Sequence, residues 1–135
     1  MECQVMKLHV VISKEFGDSF ANLLNGGILV LSAKTVMKIK KIDKKLKEQF
    51  KNYYDVRESY LKELSNKNEN GEPIIKDNAY DISKEHLILL NEKMKELLDV
   101  DFEIGQKIDY KDIEKVGLSV KDLIILDDIV ADPID

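Results

Sequence analysis

The sequence predicts an α+β fold: one long central helix packed against a second helix, with a small set of short strands and a short C-terminal helix. Three observations predict it. Residues 32–64 form a run without glycine or proline whose apolar residues recur at helical spacing. A second helical seam follows Ser83, and residues 5–12 and 99–104 alternate apolar with polar in the period of a strand.

The long run sets the frame. Ile39, Ile42, Leu46, Phe50, Tyr53, Tyr60 and Leu64 fall in steps of three, four or seven and therefore on one side of a helix. Ser32 is placed to cap its first turn, and no glycine interrupts it before Gly71. At 1.5 Å per residue the run spans roughly 50 Å, more than one small core can cover. Arg57 stands in the stripe where an apolar residue is expected. Either the core ends before it, or it makes an ion pair with a partner. Tyr53, Tyr54 and Tyr60 beside Arg57 have the composition of a partner-contact patch. A core or dimer seam explains the tyrosines equally well. The rest of the helix surface is basic, with Lys34, Lys38, Lys41 and Lys45 forming a candidate basic face. Helical projection spreads the lysines over the whole non-core surface, and no aromatics are interleaved, so a solvated face is preferred over nucleic-acid binding.

The 135 residues suit one domain, divided into an N-terminal strand and short-helix segment (1–31), a helical hairpin (32–98) with a loop at 65–82, and a strand with C-terminal helices (99–135). In the first segment residues 5–12 read as a strand, with His9 on its polar face. Asp18 caps a short helix carrying Phe20, Leu23 and Leu24 that Gly26 and Gly27 end, and residues 28–31 read as a second strand. Gly26-Gly27 lacks the further glycine and Lys-Ser/Thr of a phosphate loop.

Residues 65–73 are a loop. Asn66, Asn68, Asn70, Gly71 and Asp77 occupy calcium-loop positions, but Asn66 replaces the usual first Asp, Asp77 replaces the bidentate Glu and Pro73 stands where an apolar strand residue belongs, so a plain loop is preferred. Residues 73–82 read as extended. Ser83 then caps a helix to about Leu98 with a seam of Leu87, Leu90, Met94 and Leu97, and His86 sits in its first turn. Residues 99–104 place Asp99, Asp101 and Glu103 on one strand face, a geometry able to hold a cation but better explained as a solvated acidic strand. A short helical turn runs from Asp109 to Val116, and Gly117 ends it. A capping box at Ser119 and Asp122, with a Leu118–Leu123 staple, opens a helix over 120–130 that buries Leu123, Ile124, Leu126, Ile129 and Val130 before Pro133.

Composition restricts function. The net charge is −5, yet residues 34–51 are strongly basic and residues 99–135 acidic. Either these segments lie against each other or each faces a different partner. A single cysteine, Cys3, fits a reducing compartment, and the absence of a long apolar run or a signal-peptide pattern leads to an expectation of a cytoplasmic protein without a membrane partner. Two isolated histidines, one peripheral cysteine and no nucleophile, phosphate or metal motif disfavour catalysis, so no catalytic residue, cofactor or metal is assigned.

The phrases ILVLSAKTVMKIKKIDKKL, YYDVRESYLKEL, NENGEPIIKDNAYDI, MKELLDVDFEI and LSVKDLIILDDIV, in that order, resemble a small family of uncharacterised proteins from phages and prophages of Gram-positive bacteria. The resemblance covers residues 20–130 and transfers no functional residues. It implies a phage or prophage setting; together with the residues that disfavour catalysis, the expectation is a non-enzymatic accessory protein in the host cell that acts by protein–protein binding, with inhibition of a host defence or replication factor as one such action. The alternative is a minor virion component or assembly chaperone, with a homodimer formed through the long helix.

Overall fold

The computed structural model describes residues 4–131. In chain order the elements are β1 (Gln4–Lys7), α1 (Leu8–Val11), α2 (Lys14–Gly27), α3 (Ala33–Leu64), β2 (Ile75–Lys76), β3 (Ala79–Tyr80), α4 (Lys84–Leu98), β4 (Asp101–Gly105), β5 (Ile108–Asp109), α5 (Tyr110–Ile113) with a following 3-10 turn (Glu114–Val116), α6 (Val120–Ile125) and β6 (Val130–Ala131). The fold is mixed helix and strand, with the long α3, a second helix and a short C-terminal helix. The residues gather into two compact units, one from the described residues up to Phe50 together with Asp101 onward, the other Lys51–Val100. Cys3 and Pro133 lie outside the described residues.

The first unit is closed by distant parts of the chain. β1 pairs antiparallel with β4, placing Met6 opposite Phe102 and Lys7 opposite Asp101. The Lys7 ammonium lies 3.2 Å from the Asp101 carboxylate. β5 pairs in parallel with β6, aligning Ile108 with Val130. One core joins these ladders to the helices: Met6 and Phe102 meet Phe16, Phe20 and Leu23 of α2, Ile39, Ile42 and Leu46 of α3, and Leu126 and Ile129 beyond α6. The Phe16 and Phe20 rings stack at 6.2 Å.

Several expected elements are corrected. Residues 5–12 are not one strand: pairing stops at Lys7, opposite the first residue of β4, and the chain turns into α1 so that Leu8 and Val11 bury together. Helix α2 starts at Lys14 rather than after Asp18. Ser13 is its cap, accepting from the Phe16 amide at 3.2 Å, and Phe16, Phe20 and Leu23 form a buried stripe that runs past Gly17. The ~1 kcal/mol helix penalty of a glycine is smaller than the ~1.5–3 kcal/mol from burying a side chain such as Phe16. Residues 28–31 form a turn, not a strand, with the Val30 and Leu31 amides both donating to the Gly27 carbonyl. A Cβ on Gly26 would stand 3.0 Å from Val116, and one on Gly27 only 2.7 Å from Leu31, so both glycines serve close packing at this turn.

The helix expected over 120–130 ends at Ile125. Leu126, Ile129 and Val130 are buried through a turn and β6, whereas Ile124 is 70% exposed. Asp127 and Asp128 follow the helix end, where acidic charge opposes the backbone dipole. The three-carboxylate face also dissolves. Asp99 is the C-cap of α4, β4 begins at Asp101, and Asp101 is paired with Lys7.

A polar tether joins α2 to α6. The Ser19 hydroxyl donates to Asp122 at 2.7 Å and the Asn22 amide at 3.2 Å, while the Asp122 amide donates to the capping Ser119 hydroxyl at 3.0 Å. The Ser19 hydrogen bond, helped by Asn22 and Ser119 and opposed by partial desolvation, holds the Asp122 carboxyl below its ordinary value. A depressed folded pKa means that the unfolded chain binds the proton more readily. The tether is therefore at full strength above the unfolded carboxyl's pKa, near 3.8, and is lost as pH falls through the lower folded value. Thermal melts of the native chain and Asp122→Asn are expected to differ at neutral pH, with the native chain more stable, and to converge in strong acid. A difference that persists unchanged in strong acid would contradict this.

Candidate interaction surfaces

The second unit carries the tyrosine–arginine stretch. Tyr53 and Tyr60 are half-buried, Tyr54 is 56% exposed and Arg57 is exposed. The Tyr53 and Tyr54 rings meet edge-on at 5.1 Å. Arg57 makes no ion pair with another described residue of this chain. The fully buried stripe of α3 comprises Thr35, Ile39, Ile42 and Leu46 and ends before Arg57.

Polar groups hold the remainder of this unit. The Lys67 ammonium donates to the carbonyls of Lys62, Ser65 and Glu63, satisfying the C-terminal end of α3 where carbonyls lack helical partners. His86 Nδ1 donates to the Leu64 carbonyl at 3.0 Å, tying the first turn of α4 to the same end. The asparagines of the calcium-like pattern have other work: Asn68 Oδ1 accepts from the Asn70 and Glu72 amides at 2.9 Å, and the Asn66 side chain donates to Asp81. Residues 73–82 are not simply extended. β2 and β3 form a hairpin whose turn residues, Asp77 and Asn78, both have positive φ, at 51° and 64°. That is the backbone of the two-residue primed turn, and Asp and Asn, which tolerate positive φ better than other non-glycine residues, are its local sequence signal. Of the seam expected in α4, Leu90 is buried and Met94 and Leu97 are half-buried, but Leu87 is 46% exposed.

The lysines of α3 do not all form a featureless solvated face. Lys38, Lys41, Lys44 and Lys45 line a groove of about 490 Å³, and Lys107 lines it from the β4–β5 connection. Its floor is Ile42 and Ile104, both buried in the core of the first unit, and Glu48 is the carboxylate on its wall. Lys34, one turn before Lys38, is not part of it. The acidic segment 99–135 does reach the basic helix here, but the part of it that lines this groove is Ile104–Lys107, which adds another cation and no carboxylate.

A further surface was not singled out from sequence. Ile28, Leu29 and Val30, in the turn before α3, are 49%, 92% and 48% exposed. Their apolar character suggested a strand. The adjacent Gly26-Gly27 pair and the capping Ser32 were the signals that they form a turn.

Comparison with protein-family models, curated proteins and solved structures gives no match. Among the described residues, no three histidine, cysteine, aspartate or glutamate side chains gather as a metal site, and no helix is long and apolar enough to cross a membrane.

One tyrosine has a testable environment. The Tyr80 hydroxyl donates to the Glu58 carboxylate, joining the hairpin to α3. This bond first, with burial and the nearby negative charge adding to it, raises the Tyr80 pKa. The contribution is complete below the unfolded phenol's pKa, near 10.0, and disappears as pH rises through the higher folded value. In a spectrophotometric titration of the five tyrosines, one is expected to ionise last, and Glu58→Gln is expected to bring it back toward the others. An unchanged titration curve in that variant would contradict the assignment.

Proposed function

We propose that this chain is a non-catalytic binding protein that acts by docking onto another protein, in the cytoplasm of a bacterial host and in the service of a phage or prophage. The observation that carries the binding role is the turn at 28–30. Three successive large apolar side chains stand in solvent there, with Leu29 almost fully exposed. Single exposed apolar residues are ordinary, but a contiguous group has the character of a protein-contact surface. Its backbone is fixed by the paired donations to Gly27 and by the Ser32 cap, which accepts from the Thr35 amide at 3.2 Å. A preformed turn loses less conformational freedom on binding than a flexible one. The phage or prophage setting is supported by the resemblance in element order and phrases from residue 20 to residue 130. A host defence or replication factor is the class of target favoured by this reading.

The test is affinity capture with tagged protein from host lysate and from infected cells, run beside Leu29→Asp. The expected result is a host defence or replication protein recovered at stoichiometric yield with the native chain and lost with the variant, while circular dichroism shows both folded. Recovery of capsid or tail proteins alone would assign the chain to virion assembly, and identical recovery with both forms would remove the turn as the contact.

A further inference from the structure

We infer that the groove between α3 and the β4–β5 connection is a binding site for a compact, multiply charged phosphate ligand, with two or three linked phosphates that are free or carried by a nucleoside. This surface is separate from the turn at 28–30 and does not depend on its role.

Positive charge is concentrated in this groove. Lys38, Lys41, Lys44 and Lys45 lie within two turns of α3, about 10 Å of helix axis, and Lys107 faces the same space from another element. Opposing them in the lining is one carboxylate, Glu48. None of the five ammonium groups makes an ion pair among the described residues, although the chain has 26 acidic residues and a net charge of −5. Like charges held near one another repel, and a bound polyanion relieves that repulsion.

The wall of the groove is open beside one of these cations. The groove is bounded by β4's last residue, Gly105, which has φ +96°. A Cβ placed there would stand 3.6 Å from the Lys45 ammonium. The left-handed backbone and absent side chain leave that edge open beside a cation. The buried Ile42 and Ile104 form a floor over which aliphatic lysine stems can lie while their ammonium groups remain at the opening.

The lining suits a compact ligand better than a polymer. Lys34, which would extend a basic track along the helix, is outside the groove. No aromatic side chain lines it for base stacking, the usual companion of charge in single-strand binding. A volume of about 490 Å³ falls within the range of small-molecule sites. Ammonium groups act on phosphate as point charges on flexible stems, so several can converge on a short phosphate chain without the planar geometry demanded by a guanidinium.

The experiment is isothermal titration of the full chain with inorganic tripolyphosphate, with ATP and with single-stranded oligothymidylate. Each is repeated on Lys41→Gln/Lys45→Gln and on Lys34→Gln/Lys40→Gln, which removes the same charge outside the groove. Both phosphate ligands are expected to bind saturably. The groove pair should weaken them about tenfold or more, and the outside pair no more than about twofold. Equal affinity for the two ligands would assign recognition to the phosphate chain alone, and tighter ATP binding would add the nucleoside; either outcome supports the site. Lys107→Gln tests the opposite wall should the groove pair fail to fold. The inference is overturned by absent saturable binding of both phosphate ligands or by equal weakening in the two pairs. Oligothymidylate binding more tightly than tripolyphosphate through the same lysines would also overturn it, marking a nucleic-acid track.

Discussion

The first unit depends on the burial of Ile39, Ile42 and Leu46 from α3. These side chains meet the stacked phenylalanines of α2, the inward residues of the β1–β4 ladder and the turn after α6 in one core. Each fully buried aliphatic side chain contributes about 1.5–3 kcal/mol. The same constraint places the basic groove. Because Ile42 points into the core, Lys38, Lys41 and Lys45, at four and one residues before it and three after it, must flank the core edge. The groove is thus a consequence of packing combined with lysines at the bordering positions. Lys107 reaches it because β4 delivers Ile104 to the core and turns at Gly105.

Burial is distributed differently in the second unit. Leu90 and Ser65 are its buried residues, and much of its organisation comes from specific polar bonds. Lys67 and His86 satisfy carbonyls at the end of α3, Asn68 organises its loop, and Tyr80 links the hairpin to Glu58. Individual hydrogen bonds make modest net contributions to stability, commonly about 0.5–1.5 kcal/mol, but unmade ones are unfavourable when a group is shielded from water. Such bonds specify a local conformation more than they supply bulk stability. The exposed Leu87 and Ile88 of α4 follow from the same scarcity of burial.

Long periodic segments were legible in the sequence, and segments whose partners lie far away were not. Ser32 and the 39–42–46 spacing identified α3, and Ser83, Ser119 and Gly117 marked real element ends. The alternation at residues 5–12 was misleading because β4 supplies pairing only as far as Lys7. Asp18 looked like the cap because the stripe joining Phe16 to Phe20 becomes visible only against the core. The lysines themselves were legible, but their convergence was not: it requires Lys107, 62 residues after Lys45 in sequence, to be carried there by β4. The apolar residues at 28–30 lacked the ladder partner that would have made them a strand, leaving their hydrophobicity at the surface.

The most direct measurement of this account is native-state amide hydrogen exchange along α3. If burial of Ile39, Ile42 and Leu46 anchors the helix, protection should be greatest across residues 39–46 and fall markedly over residues 53–64, since opening energies follow local burial. Uniform protection to Leu64, or a maximum beyond Phe50, would contradict the claim that this stripe is the element on which the fold and its basic groove depend.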